Sequence, residues 1–422
     1  MLLRTVIRSS SATFLLPFLL GFVFVALGDD LSAWGTAHYW PSATGRATFA
    51  LPFVSAACAG TAAWEGARLR RGRVFDQAPV RGPLAVTLPL LLPVAALGLL
   101  GMLAALVISA AAADVGSGLP HLGILLVAGG VLVANTLAGY LVGRVIPGVL
   151  AAPLALIGGF FFNAYPSAWS VFWLRHLVGG GLDSCCSVDA TVDPRALWSA
   201  GVFATAVCLA AIAVIHFRGR SGALAMAVAL MTVGFGLAAY IAKDLGPEPV
   251  RARADDALIC QGGGRPRICL WPELDDRAMV QRETHKAVGR LEQAGVRVPG
   301  TLTMAAHPGA GAAKLGIPSN PQPGDIPGGV ASGLLPEPPA CALNGAPYPA
   351  GHALGPVAAW LHTTAGEPVS AVAGRFGQPD AALAQQVLRQ PRAAQVAWFQ
   401  RNVTAMRSCG TQPQLRIAEG SS

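Results

Sequence analysis

Apolar residues dominate the first 240 positions of the chain in runs longer than a helix in a water-soluble domain requires. A bilayer core about 30 Å thick is crossed by about 20 predominantly apolar residues in helix, because backbone polar groups in lipid must be satisfied within the segment. Runs of that length fall near 10–28, 47–64, 84–110, 121–142, 145–164, 197–217 and 221–242, and the loops between them carry the charges and most turn residues. The pattern predicts about seven transmembrane helices within residues 1–242. The third run is long enough to tilt, and Pro89 and Pro93 within it predict a kink, while Pro17, Pro52 and Pro153 are tolerable in their runs. Residues 1–28 also fit a cleaved signal peptide, since two arginines precede the apolar core and Ala26-Leu27-Gly28 resembles a small-residue cleavage site. Cleavage leaves six spans with the same sidedness.

Beyond Lys243 the pattern changes. Residues 243–256 read as a polar, proline-containing connector, and residues 257–422 as a small α+β domain. Ala257-Leu258-Ile259-Cys260 and Arg267-Ile268-Cys269-Leu270-Trp271 read as short strands around a turn at Gly262-Gly263-Gly264. A charged amphipathic helix is expected from Glu273 to Ala294, started by Pro272 and ended near Gly295. Residues 305–350, rich in Gly and Pro, read as a long irregular loop, and helix returns around 352–365, 379–390 and 392–408. The fold class expected is an α-helical polytopic membrane protein with a small α+β extracytoplasmic domain.

Charge supplies the orientation. With the N-terminus in the cytoplasm, Arg4, Arg8, Arg68, Arg70, Arg71, Arg73, Arg81, Arg144, Arg218 and Arg220 lie inside, and Arg46, Arg175 and Arg195 outside. Seven spans then place the C-terminal domain outside the cell membrane. Cys58 and Cys208 fall within spans, where a thiol behaves as a small apolar group. Cys185, Cys186, Cys260, Cys269, Cys341 and Cys409 all fall in segments assigned to the outside, where disulfides persist. Cys260 with Cys269 and Cys341 with Cys409 are the expected pairs; free thiols or metal ligands are the alternative. No C-x-x-C or H-x-x-x-H spacing is present, which disfavours a zinc site.

Composition narrows the function classes. The chain is 53% hydrophobic and 12% charged, against about 25% charged in a typical soluble domain, which argues against a soluble enzyme of this length. Its formal net charge of +8 is not gathered into the dense Lys/Arg block of a nucleic-acid surface. The nearest approach to a phosphate-binding loop, Gly309-Ala310-Gly311-Ala312-Ala313-Lys314-Leu315, lacks the final glycine and the hydroxyl. No G-x-S-x-G elbow surrounds Ser332, and no H-E-x-x-H helix occurs. His285, His307, His352 and His362 share no spacing, and although any of them can join a carboxylate such as Glu283 or Glu367, a lone His is more often structural. No catalytic residue, cofactor or metal is therefore expected. Within the runs no charge sits at mid-span, and Asn135 and Thr136 in the fourth are the clearest polar residues, read as helix-packing hydrogen bonds with a substrate contact as the alternative. Transport, if the chain supports it, has to draw its energy from a partner.

Ala62-Ala63-Trp64-Glu65-Gly66-Ala67-Arg68-Leu69-Arg70-Arg71-Gly72-Arg73 leaves the second run for the longest cytoplasmic loop. By itself this is a positive-inside anchor with an interfacial Trp. The pattern also resembles the membrane subunits of actinobacterial ATP-binding-cassette (ABC) transporters of the type-2 exporter class, over about the first 240 residues. The resemblance implies a permease-like subunit that forms a homo- or heterodimer and couples to a separate cytoplasmic ATPase. It also implies that Glu65, Arg68, Arg70, Arg71 and Arg73 lie at or near the surface that docks the ATPase. The chain departs from that family in its seventh span and its large outer domain, since the usual core has six spans with both ends cytoplasmic. The alternative is a membrane-anchored sensor or scaffold whose outer domain binds a ligand or partner, and a third reading is an outer-domain enzyme, which requires a cleft where one of the histidines meets a carboxylate or hydroxyl.

Overall fold

The computed structural model describes residues 10–33, 35–77, 82–217, 222–261 and 265–416. Arg4, Arg8, Arg81, Arg218 and Arg220 of the orientation argument, and the glycine turn Gly262-Gly263-Gly264, lie outside the described residues. The chain divides into two compact units, Met1–Arg251 and Ala252–Ser422.

The first unit opens with α1 (Ser11–Ala26), whose N-cap Ser10 accepts a hydrogen bond from the amide of Ala12. A short α2 (Gly28–Ser32) follows. Next, α3 (Trp40–Ala47) runs through a single 3-10 turn, Thr48–Ala50, into α4 (Leu51–Arg71). This rod reaches beyond the run expected at 47–64 at both ends. Pro41 and Pro52 each sit in the first turn of a helix, where the missing N–H is an orphan in any case, so neither stops the rod. Then come α5 (Pro83–Ala112), α6 (Leu122–Val145), α7 (Gly148–Ala164), the short α8 (Phe172–Leu177), β1 (Ala190–Val192), α9 (Pro194–His216), α10 (Gly222–Ala242) and β2 (Val250–Ala252), which pairs with β1. Pro89 and Pro93 both lie inside α5.

Among the described residues, six helices are long and apolar enough to cross a membrane: Trp40–Arg71, Pro83–Ala112, Leu122–Val145, Val149–Ala168, Pro194–His216 and Gly222–Ala242. The first expected span, 10–28, is the 16-residue α1, apolar but shorter; at about 1.5 Å per residue it spans less than the hydrocarbon core. Burial ranks the six. In its most apolar stretch Trp40–Arg71 is 78% buried, whereas Val149–Ala168 and Gly222–Ala242 are each 17% buried, so α3–α4 is the central rod and α7 and α10 are peripheral. The rod's neighbours approach it through small residues. Gly139 and Gly143 of α6 lie against the backbone of Ala59 and Ala63, and Gly66 of α4 lies against the backbone of Tyr140.

The second unit is built on a four-stranded sheet of order β3-β4-β5-β6. β3 (Ile259–Gln261) runs antiparallel to β4 (Arg267–Leu270), and α11 (Arg277–Gln293) crosses over to β5 (Thr301–Thr303), which lies parallel to β4. β6 (Ala312–Lys314) extends the sheet in parallel. The expected helix from Glu273 begins instead at Arg277, because Asp276 caps it, accepting from the amide of Met279 at 3.0 Å. Helices α12 (Asp325–Ser332), α13 (Ala340–Leu343), α14 (Leu354–Ala365), α15 (Val369–Phe376), α16 (Gln378–Leu388) and α17 (Arg392–Met406) complete the unit.

Residues 305–350 are therefore not one irregular loop. They contain β6, α12 and α13, and α12 is helical despite Pro327, Gly328 and Gly329 because Ile326, Val330 and Ala331 are fully buried. Tertiary burial outweighs poor intrinsic propensity there. Two indoles anchor the core: Trp271 donates to the carbonyl of Met304 at 3.1 Å, and Trp360 to Oε1 of Gln395 at 3.3 Å. Both expected disulfides are joined, Cys260–Cys269 across the β3–β4 pair and Cys341–Cys409 between α13 and the segment after α17. In the first unit Cys185 and Cys186 are joined to each other.

Candidate functional site

At the C-terminal end of α4 the structure gathers most of the residues assigned to docking. Glu65 is fully buried, and its Oε1 accepts from the amide (2.9 Å) and the hydroxyl (2.7 Å) of Ser11 while its Oε2 pairs with Arg68 at 2.9 Å. A carboxylate is favoured at this place because the first N–H groups of α1 point toward it. Glu65 is thus a tie beneath the surface, whereas the arginines assigned with it lie at the surface. Arg70 donates to the carbonyl of Val145 at the end of α6 (2.6 Å), Arg71 lies 5.1 Å from the centroid of the Trp64 ring, and Arg144 stacks 4.5 Å from the Phe75 ring. Arg73 follows the helix end in the left-handed region, with φ of 45°. Arg68, Arg71 and Arg73 are exposed and Arg70 is partly so.

A cavity of about 730 Å³ opens among α4, α6, α7, α9 and α10, walled mainly by apolar side chains such as Val131, Phe162, Phe203 and Phe235. Its polar content is concentrated in one pair. Asn163 donates to Oδ1 of Asn135 at 3.1 Å, and each amide also donates to a carbonyl of its own helix, Gly159 and Val131 respectively. Asn135 was legible as the polar residue of its run; Asn163 was missed, although an amide directly after Phe160-Phe161-Phe162 is a signal in the sequence. Thr136 donates to the carbonyl of Leu132 of its own helix at 2.7 Å and also bonds the buried Cys58 thiol of α4, a packing arrangement.

The second unit contains an acid–imidazole–hydroxyl array. His362 of α14 is fully buried; its Nδ1 lies 2.6 Å from Oε2 of Glu367 and its Nε2 lies 3.0 Å from Oγ of Ser332, the exposed last residue of α12. Arg375 of α15 pairs with the other carboxylate oxygen at 3.2 Å. The local fold explains the meeting. Gly366 adopts a left-handed conformation, φ of 113°, which ends α14 and lets the amide of Glu367 bond back to the carbonyl of His362 at 3.0 Å. This reversal returns the Glu367 side chain to the imidazole five positions earlier. Gly328 leaves room from the other side, since a Cβ there would stand 2.7 Å from Oε2 of Glu367 and 3.3 Å from Nδ1 of His362.

Burial pushes the His362 imidazole below its ordinary pKa, outweighing the upward pull of the Glu367 hydrogen bond and charge, and Arg375 adds to the lowering. Of the histidines and carboxylates weighed from sequence, His362 and Glu367 are brought together; Glu283 instead pairs with Lys286 at 2.8 Å. Ser332 and Arg375 joined them without any sequence signature. Among the described residues, no group of three or more His, Cys, Asp or Glu side chains is placed to hold a metal ion.

No curated protein and no solved structure matches this chain. Residues 268–409, from β4 to just beyond α17 and including Ser332, His362, Glu367 and Arg375, match the profile of DUF7224, a domain of unknown function.

Proposed function

We propose that the chain is a membrane-spanning, permease-like subunit of an ABC-type transporter, coupled to a separate cytoplasmic ATPase and displaying its second unit outside the cell. The observation that carries this reading is the construction of the α4 end. A loose positive-inside anchor needs only arginines near the lipid headgroups. Here Glu65 is buried to hold the start of α1, Arg70 is tied to the end of α6, and Arg68, Arg71 and Arg73 are presented around that clamp. A partner pushing on this corner moves three helices together. The cavity beside α4, with its Asn135–Asn163 pair and no charged residue in its lining, suits an apolar cargo and leaves the energy to a partner. The charge asymmetry of the loops and the disulfides at Cys260–Cys269 and Cys341–Cys409 support the sidedness.

The test is a mild-detergent pull-down of the native chain beside a variant carrying Arg68→Ala, Arg70→Ala, Arg71→Ala and Arg73→Ala, with mass spectrometry of what co-purifies. An ATP-binding subunit recovered with the native chain and lost with a correctly inserted variant supports the reading. Recovery of no ATPase with either protein favours the alternative, a sensor or scaffold. That alternative draws on the compactness of the second unit and its two disulfides.

A further inference from the structure

We propose that Ser332, His362 and Glu367 form a serine nucleophile, a general base and a positioning carboxylate, and that the second unit cleaves acyl esters at the Ser332 hydroxyl. This goes beyond membrane transport and does not depend on it.

The case rests on the order and the directions of the contacts. Glu367 bonds Nδ1 of His362, which places the imidazole proton on that nitrogen and leaves Nε2 with a lone pair aimed at Ser332 Oγ, 3.0 Å away. Arg375 occupies the other oxygen of Glu367 and fixes the orientation of the carboxylate. The base and the carboxylate are buried, whereas Ser332 is exposed, so the nucleophile alone meets solvent and substrate. A purely structural His between two helices is satisfied by any two buried partners. The hydroxyl of an exposed serine at Nε2 and a buried, cation-paired carboxylate at Nδ1 reproduce instead the sequence nucleophile, base, orienting group.

In the reaction, Ser332 Oγ bonds to the ester carbonyl carbon and its proton passes to Nε2 of His362. His362 then gives that proton to the departing alkoxide as the carbon–oxygen bond breaks. Water attacks the acyl-serine, loses a proton to His362 and releases the carboxylic acid, and Ser332 recovers its proton. One ester and one water become one alcohol and one acid.

The experiment uses the full chain in detergent, an alkyl fluorophosphonate to report nucleophile activation, and p-nitrophenyl butyrate as the ester. Peptide mass spectrometry locates the label, and the Cys260–Cys269 and Cys341–Cys409 peptides in the same digest certify that the unit is folded. The expected result is phosphonylation at Ser332 and ester hydrolysis that falls about 100-fold in Ser332→Ala, the scale of a lost nucleophile–base contribution. Glu367→Gln slows labelling of Ser332 at least about 10-fold with the disulfides intact, and Glu367→Asp recovers part of that rate, as expected of a positioning residue. Absence of label at Ser332 in a disulfide-intact chain overturns the proposal. Labelling as fast in Glu367→Gln as in the native chain also overturns it, leaving the array as a tie between α12 and α14.

Discussion

Glu65 and Ser11, 54 positions apart, are joined twice: one carboxylate oxygen accepts from both the amide at 2.9 Å and the hydroxyl at 2.7 Å. The end of α4 and the start of α1 are therefore one mechanical piece. Glu65→Ala leaves the partly buried Ser11 amide without its acceptor and Arg68 without its carboxylate, and is expected to destabilise the folded chain by roughly 2–4 kcal/mol. Ser11→Ala retains the amide contact and is expected to cost about 1 kcal/mol. Thermal unfolding in detergent, followed by intrinsic fluorescence, should rank them in that order. Equal midpoints for Glu65→Ala and the native chain would remove the clamp from the account.

Close packing of α6 on α4 depends on the absence of a side chain at Gly143. A Cβ there overlaps the backbone carbonyl of Ala63, an atom that cannot rotate away. Gly143→Leu is expected to separate the helices and to abolish the monodisperse folded species on size-exclusion chromatography. Gly129→Ala in the same helix meets nothing within 4 Å and is expected to run like the native chain.

The two disulfides of the second unit close loops of different length, with sequence separations of 9 and 68. On loop-closure entropy alone, Cys341–Cys409 contributes roughly 4 kcal/mol and Cys260–Cys269 roughly 3 kcal/mol. Replacing both members of a pair with Ser and recording calorimetric transitions of the full chain should show the larger loss for Cys341→Ser with Cys409→Ser. The reverse order would show that the strand pairing at Cys260–Cys269 carries more than chain entropy.

Stability of the second unit should fall in mild acid through His362. Its folded pKa lies below the ordinary value near 6.5 because burial disfavours the charged imidazole, with Glu367 and Arg375 as the charged groups facing it. The unfolded chain then binds more protons below about pH 6.5, so this contribution is fully present above that pH and is lost as pH drops toward the folded value. Melting midpoints taken between about pH 7.5 and pH 5 should decline in the native chain and decline less in His362→Gln. Parallel curves would assign the acid sensitivity to other groups.

The apolar runs and the cysteines made much of the architecture legible. Runs expected at 121–142, 145–164, 197–217 and 221–242 correspond to Leu122–Val145, Gly148–Ala164, Pro194–His216 and Gly222–Ala242, since a long apolar stretch has few ways to satisfy its backbone other than helix. Cys260 and Cys269 were legible because each falls in a short β-like run, and β3 and β4 set them opposite each other. Helix ends and the Gly/Pro-rich stretch were less so. Asp276 moved a helix start by capping, Pro41 and Pro52 in first turns let the α3–α4 rod run beyond its apolar stretch, and α12 formed because burial of Ile326 and Val330 overrode its glycines.

What the sequence by itself determined is therefore the division into an apolar helical part and a cystine-linked α+β part, together with the positions of the arginines and cysteines. Only the tertiary structure decided which polar groups meet. Glu65 reads as one more surface acid until α1 is laid across it, and Ser332, 30 positions before His362, carries no motif around it. Periodicity and composition act over a few turns of chain. The left-handed turn at Gly366 sets Glu367 on His362 locally, but the meeting of that pair with Ser332 depends on the close approach of α12 that Gly328 permits, a contact between segments distant in sequence that no local pattern encodes.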